Sequence, residues 1–291
     1  MQYAPIALFV YNRPRHTKNL IDSLLANKEA EKSELIIISD APKHEGVTGV
    51  DEVRKYIKTV NEFQSVKIIE RQENFGLAKN IITGVSKLLE EYGRLIVLED
   101  DLIVSPWFLA YMNDGLNLYA EDEKAGSIHG YVYPVREQLP ETFFLRGGDC
   151  WGWATWKRAW SFFEPDGKKL LSQIKQRGLV REFDLNNSYP YYRMLQKQVE
   201  GKNSSWAVRW HASLFLRDML TLYPGTSFVN NQGADDSGTH LKSTNVFDVP
   251  VAQNYAGIRK IELQESEAGR KSFSNFFFSI HKNPLKRIFR L

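Results

Sequence analysis

The chain has one cysteine in 291 residues, Cys150, so it cannot form an internal disulfide, and a reducing compartment is the simple expectation. No stretch reaches the roughly 18 uncharged apolar residues that a membrane helix needs. The apolar run near the N-terminus, in MQYAPIALFVYNRPRH, has no basic leader before it, so it reads as a first strand rather than a secretory signal. Internal repeats and low-complexity tracts are missing. Neither G-x-G-x-x-G nor G-x-x-x-x-G-K-[ST] follows that first strand, which makes nicotinamide-dependent enzymes and P-loop NTPases poor fits. A large charge excess is also missing: the formal net charge is +3, and no basic patch interrupts the body, so nucleic acid is not an expected partner.

What remains is ordinary globular composition, 43% hydrophobic and 25% charged, enough for one large α/β domain or two small ones. The charge is uneven. After Glu267 come Arg270, Lys271, Lys282, Lys286, Arg287 and Arg290 with no acid among them, mixed with Phe273, Phe276, Phe277, Phe278 and Phe289. Cations interleaved with large apolar groups suit an anionic bilayer surface. The alternative is a C-terminal helix that packs its phenylalanines on the body. The expected location is the cytoplasm, with peripheral contact on the cytoplasmic face of the inner membrane as the tail's contribution.

The first hundred residues alternate strand and helix. Ile6–Tyr11, Leu35–Ser39, Val66–Ile69 and Leu95–Leu98 are apolar throughout, and amphipathic helical stripes separate them. The strongest stripe runs through Leu77, Ile81, Val85, Leu88 and Leu89 and stops at Gly93. This pattern predicts a mostly parallel sheet with helices on both faces. The second half is less regular and holds most of the aromatic residues, with a soft boundary near Pro106. We expect a half at 1–105, a second half of the same domain at 106–250, and a basic, aromatic tail at 251–291.

Ligands of open parallel sheets bind beyond the carboxyl ends of the strands. Here those ends read Tyr11-Asn12-Arg13, Ser39-Asp40, Asn74 to Asn80 (NFGLAKN) and Glu99-Asp100-Asp101. Three adjacent carboxylates repel one another, and a bound divalent cation would relieve that. Magnesium and manganese accept one or two protein carboxylates and fill their other positions with water and substrate phosphate. The plain alternative is an acidic cap for a helix starting near Pro106.

Six of the seven tryptophans lie between 151 and 210, and the stretch from Cys150 reads CWGWATWKRAW. Flat amphipathic rings can wall a sugar site, although most such rings are core. Trp156 and Trp160 are spaced as on one helix face. The segment NNQGADDSGTH at 230–240 is a polar loop with two glycines, either a flap over a site or plain surface; its His240 is a candidate metal or diphosphate contact.

At these residues the sequence resembles the GT-A-type nucleotide-sugar glycosyltransferases, in particular the family 2-like group of bacterial surface-polysaccharide enzymes. It is distantly similar to N-acetylglucosaminyltransferase I, which carries a Glu-Asp-Asp triplet. FVYNRPRH, ISDAP, NFGLAKN and VLEDD carry the resemblance in order, followed by CWGWATW, SSWAVRW and NNQGADDSGTH. It implies a Rossmann-like GT-A fold and a set of roles. Tyr11, Asn12 and Arg13 would lie by the nucleotide and Asp40 would hold its base. Asn74, Gly76 and Lys79 would approach the nucleotide or diphosphate. Glu99 and Asp100 would face the ribose or donor sugar, and Asp101 would bind the metal, Mn2+ or Mg2+. His240 would close over the diphosphate, and Trp151 and Trp153 would line the donor sugar and acceptor. Arg13, Lys79 or Arg209 could add positive charge at the leaving group.

In one respect the chain departs from the pattern. Related enzymes often carry an acidic base just after the tryptophan matching Trp206, and here Ala207 stands there. Asp149, His211, Asp235 and Asp236 remain as base candidates. The expected activity is metal-dependent, inverting transfer of a sugar from a nucleoside-diphosphate sugar to a glycan or lipid-linked glycan acceptor. The alternative is a non-catalytic nucleotide-sugar-binding relative. A phosphotransferase would need an aspartate or phosphate loop after the first strand, where Asn12 and Arg13 stand instead.

Overall fold

A computed structural model describes residues 3–233 and 244–281. The elements run β1 (Ile6–Val10), α1 (Pro14–Leu25), β2 (Glu34–Ser39), α2 (Gly49–Ile57), β3 (Ser65–Glu70), α3 (Gly76–Tyr92), β4 (Arg94–Glu99), β5 (Leu102–Val104), α4 (Phe108–Leu118), β6 (Ala125–His129), β7 (Thr142–Arg146) and β8 (Trp153–Trp156). They continue as α5 (Lys157–Trp160), α6 (Gly167–Gln176), α7 (Val180–Phe183), α8 (Tyr191–Val199), α9 (Ala207–Phe215), β9 (Leu220–Pro224), β10 (Val229–Asn231) and α10 (Glu267–His281).

One eight-stranded sheet has the order β3-β2-β1-β4-β8-β6-β9-β7, and β5 and β10 form a separate pair. The β3-β2-β1-β4 side is parallel, as the apolar strand runs predict. Beyond β4 the sheet is mixed: β8 runs antiparallel to both β4 and β6, β9 is parallel to β6, and β7 is antiparallel to β9. The sheet therefore continues without a break across residue 106.

Strand alternation sends successive side chains to opposite faces. Ile6, Leu8 and Val10 pack with Leu20, Ile21 and Leu24 of α1 and Val53 and Ile57 of α2. Ala7 and Phe9 pack on the other face with Ile81, Val85, Leu88 and Leu89 of α3. Helix α3 rides so close to β1 that a Cβ at Gly84 would meet the Phe9 ring at 2.7 Å. Gly93 closes α3 at φ 77, a left-handed conformation that costs glycine little.

Trp156 does not share a helix face with Trp160. It ends β8, where its indole N–H donates to the Leu116 carbonyl at 3.2 Å, and α5 begins after it. The acidic triplet does not cap α4 either: the N-cap is Trp107, with no side-chain cap. In the tail, Phe273, Phe277 and Ile280 are buried and Phe276 stacks on Tyr133 at 5.4 Å, so α10 uses these residues for packing. Among the described residues no helix is long and apolar enough to cross a membrane.

Candidate functional site

Because β1 to β4 are parallel, their carboxyl ends share one edge of the sheet, and the polar residues read from the sequence meet there. Arg13, just past β1, reaches the end of β4. Its Nη2 ion-pairs with Asp100 Oδ1 and lies 3.2 Å from Asp101 Oδ2. The Tyr11 N–H donates to Asp100 Oδ2 at 3.3 Å. Burial opposes the Arg13 charge, but the two aspartates outweigh it and hold the guanidinium pKa above its usual value. Burial pushes the Asp100 carboxyl up, and Arg13 pulls it back. Glu99 points elsewhere, toward the Trp206 indole; burial, with Asp101 and Asp100 adding to it, pushes its pKa up to about 8. The expected repulsion within the triplet is therefore relieved from inside the chain, by one guanidinium and by a proton on Glu99.

Asp100 has both oxygens engaged, whereas the Asp101 side chain is 21% exposed. Among the described residues no group of three His, Cys, Asp or Glu converges as a metal cage. The donors fit a hard cation held by Asp101 alone, with water and substrate oxygens completing its shell. Gly233 keeps that spot open, since a Cβ there would collide with Asp101 Oδ2. The Gln232 N–H fixes the strand beside it by donating to the Asp101 carbonyl at 2.7 Å.

Asp40 is 4% exposed, and both its oxygens are engaged. Oδ1 accepts from the Ala41 and Phe75 N–H groups at 2.9 Å each, and Oδ2 from the Gly76 N–H at 2.9 Å and Asn74 Nδ2 at 3.3 Å. It thus ties the first turn of α3 to the end of β2 and has no oxygen left for a base. Asn74 also donates to the Ala41 carbonyl, at 2.6 Å. The Tyr11 hydroxyl accepts from the Lys43 N–H at 3.1 Å, and Asn12 is exposed. Lys79 lies 3.8 Å from the Phe75 ring centre and 3.5 Å from Glu73.

The second half supplies the loop Gly147–Gly152. Antiparallel pairing of β4 and β8 sets Val97 opposite Trp153. The loop before Trp153 therefore approaches the carboxyl end of β4, with Cys150 near enough to feel both Asp149 and the acidic triplet. The Cys150 thiol, pushed up chiefly by burial, also feels Asp149, Glu99 and Asp101. Trp151 packs on Tyr131 at 4.7 Å and Phe247 at 5.6 Å.

Trp153 is fully buried among Trp160, Trp206 and Trp210 and cannot line a ligand. Arg209 donates to the carbonyls of Ser205 and Pro165, holding α9 to the chain before α6 rather than standing with Arg13. The Nδ1–H of His211 donates to the Gly148 carbonyl at 2.9 Å. Asp235, Asp236 and His240 lie outside the described residues. Sequence reasoning missed His129 and Tyr223, which both face Asp149. His129 ends β6, so the strand-end rule applied to the first four strands would have found it; Tyr223, inside β9, gives no such signal.

Residues 6–141 match the family model described as Glycosyl transferase family 2. That segment, a little under half of the chain, is what this protein shares with the family. No curated protein matches it. It is similar to a mannosyltransferase, PcManGT, from Pyrobaculum calidifontis in complex with GDP-Man and Mn2+, at 18% identity over 46% of this chain and 37% of that one, with a TM-score of 0.34. It is also similar to S. aureus TarS 1-349, at 12% identity over 80% of this chain and 61% of that one, with a TM-score of 0.42. The chain thus spans less than two thirds of either protein, and likenesses this distant add nothing to the family match.

Proposed function

We propose that the protein transfers a sugar from a nucleoside-diphosphate sugar to a glycan or lipid-linked glycan, with inversion, in the building of a bacterial surface polysaccharide. The observation that carries this reading is the Arg13–Asp100–Asp101 cluster on the carboxyl edge of a parallel sheet, inside the segment that matches the family. Arg13 and Lys79 provide positive charge for the diphosphate, while Asp40, by holding the start of α3 against the end of β2, fixes the backbone that borders the nucleotide side. A divalent cation held by Asp101, Mn2+ or Mg2+, would stabilise the charge growing on the departing diphosphate. The acceptor hydroxyl approaches from the opposite side, which inverts the anomeric carbon. Contact with a membrane surface would rest on Lys282, Lys286, Arg287 and Arg290 together with the exposed Phe278, because α10 uses Phe273, Phe276 and Phe277 for packing.

The test is turnover of UDP- and GDP-sugars with and without manganese, for the wild type and Asp101→Ala. Manganese should stimulate the wild type and leave the variant at background; equal turnover in all four arms removes the metal role. A second reading, a binding relative without catalysis, draws on Ala207, which opens α9 where a carboxylate would otherwise stand. Tight UDP or GDP binding with no turnover of any donor would favour it.

A further inference from the structure

We propose that Asp149 is the base that takes the proton from the acceptor hydroxyl, and that the aromatic wall around it seats a pyranose ring. This rests on the transfer reading above. The reaction needs an acceptor-side group with a free lone pair near the reacting carbon. Asp149 has the free lone pair, and its loop approaches the donor edge. Its loop leads into β8, the strand paired with β4, and the Cys150 that follows it feels both Asp149 and the triplet residues Glu99 and Asp101.

Its oxygens are oriented but not used up. Oδ1 accepts the Cys150 N–H at 2.8 Å, and among the described residues Oδ2 has only the Tyr223 hydroxyl, at 3.4 Å. Unlike Asp100, it has no lysine or arginine partner among the described residues, and its side chain is 17% exposed. The imidazole facing it is His129, fully buried, with Nε2 3.9 Å from Oδ1. That nitrogen accepts the Trp151 N–H at 3.1 Å, and burial lowers the ring's pKa, so His129 stays neutral and leaves the Asp149 charge uncancelled.

The other described candidate, His211, is a poorer base. Its ring stacks on Tyr191 at 4.4 Å, and burial lowers its pKa to about 4. The partly exposed members of the wall are Trp151, in the loop itself, and Tyr191, which opens α8; Tyr131, Tyr189 and Tyr223 are buried, Tyr131 packing on Trp151 and Tyr189 on Tyr191. The Tyr131, Tyr189, Tyr191 and Tyr223 hydroxyls, held un-ionised chiefly by burial, all feel the Asp149 charge. Tyr189 and Tyr191 are delivered by three consecutive left-handed residues, Leu185, Asn186 and Asn187, at φ 49, 59 and 63. A run like that persists only where its surroundings enforce it.

In the step itself the acceptor O–H gives its proton to Asp149 Oδ2, and the oxygen's electron pair forms the bond to the anomeric carbon. The bond from that carbon to the diphosphate oxygen breaks, and its electrons leave on the nucleoside diphosphate. Asp149 then returns the proton to water.

The experiment uses the full chain with UDP-glucose, UDP-N-acetylglucosamine and GDP-mannose, reading nucleoside-diphosphate release, alongside calorimetric binding of UDP and GDP. For Asp149→Asn the release should fall about 100-fold or more while the nucleoside-diphosphate Kd stays within about twofold. Azide carries no proton to remove, so it should raise release by Asp149→Ala about tenfold and form a glycosyl azide of inverted configuration. Tyr223→Phe should lose only about two- to fivefold. Retained activity in Asp149→Asn, a parallel loss of UDP and GDP binding, or a silent azide arm overturns the assignment. If the asparagine and alanine variants do not fold, Asp149→Glu carries the test: wild-type release overturns the proposal, and a tenfold loss with binding intact supports it. A wild type that neither binds nor turns over any donor overturns the transfer reading itself, a result distinguishable from failure at Asp149 alone.

Discussion

Replacing Asp40 with asparagine changes one atom and should damage both stability and the nucleotide side of the site. The Asp40 carboxylate accepts four hydrogen bonds, three of them from backbone N–H groups. An amide has one acceptor oxygen, and its NH2 must face either the pair on Oδ1 or the pair on Oδ2. In the first orientation the Ala41 and Phe75 N–H groups point at another donor; in the second, Gly76 and Asn74 do. The second is less costly, because Asn74 keeps its bond to the Ala41 carbonyl, so at least one buried backbone N–H is orphaned. That group costs about 1–3 kcal/mol. The two surviving bonds lose their charge assistance, adding about 1–2 kcal/mol in total. The expected loss is about 2–5 kcal/mol, a large share of a typical domain's stability. Urea unfolding followed by tryptophan fluorescence measures it, and calorimetry should show UDP or GDP binding weakened about tenfold as the 74–76 turn loosens. A variant within about 0.5 kcal/mol of wild type would refute the reasoning, since it would mean the four hydrogen bonds contribute nothing net.

Other consequences can be checked separately. Trp153→Ala should cost about 3–5 kcal/mol in urea unfolding, because the ring is fully buried among three other indoles; a small loss would contradict its place in the core. Gly233→Ala should leave the unfolding midpoint nearly unchanged but weaken manganese-dependent UDP or GDP binding, as its methyl displaces Asp101 Oδ2; unchanged binding with and without manganese would separate Asp101 from the ligand. His211 has a folded pKa of about 4 against an ordinary 6.5, so the unfolded chain binds the extra proton between those values. Stability should be complete above pH 6.5 and fall as the pH drops toward 4, with a slope of up to about 1.4 kcal/mol per unit that is absent in His211→Gln.

The first four strands and three helices were legible because their signals are local. An apolar run of five or six residues, an amphipathic stripe and a stopping glycine each describe one element without reference to the rest of the chain, and α3 with Gly93 is the clearest case. The second half was not legible because its strands pair out of sequence order. Nothing near Trp153 says that it will sit opposite Val97, so the spacing of Trp156 and Trp160 suggested a helix where the chain forms a strand end. The residues of the site were legible as strand-end polar groups, but their partners were not. Asp40 looked available for a ligand until its four hydrogen bonds were seen. The acidic triplet looked unbalanced until Arg13, some ninety positions away in the chain, proved to be its counter-charge.

The β4–β8 pairing has a mechanical consequence. Two neighbouring strands of one sheet, about 4.7–4.9 Å apart by ordinary sheet geometry, lead to the acidic triplet on one side and to the Asp149 loop on the other, the two sides of the proposed transfer. Their relative placement is therefore fixed by main-chain hydrogen bonds rather than by closure of two lobes. Redesign could exploit that rigidity: if the proposed transfer holds, exchanging the short Gly147–Gly152 connection changes the acceptor side while the residues at the end of β4 stay where they are.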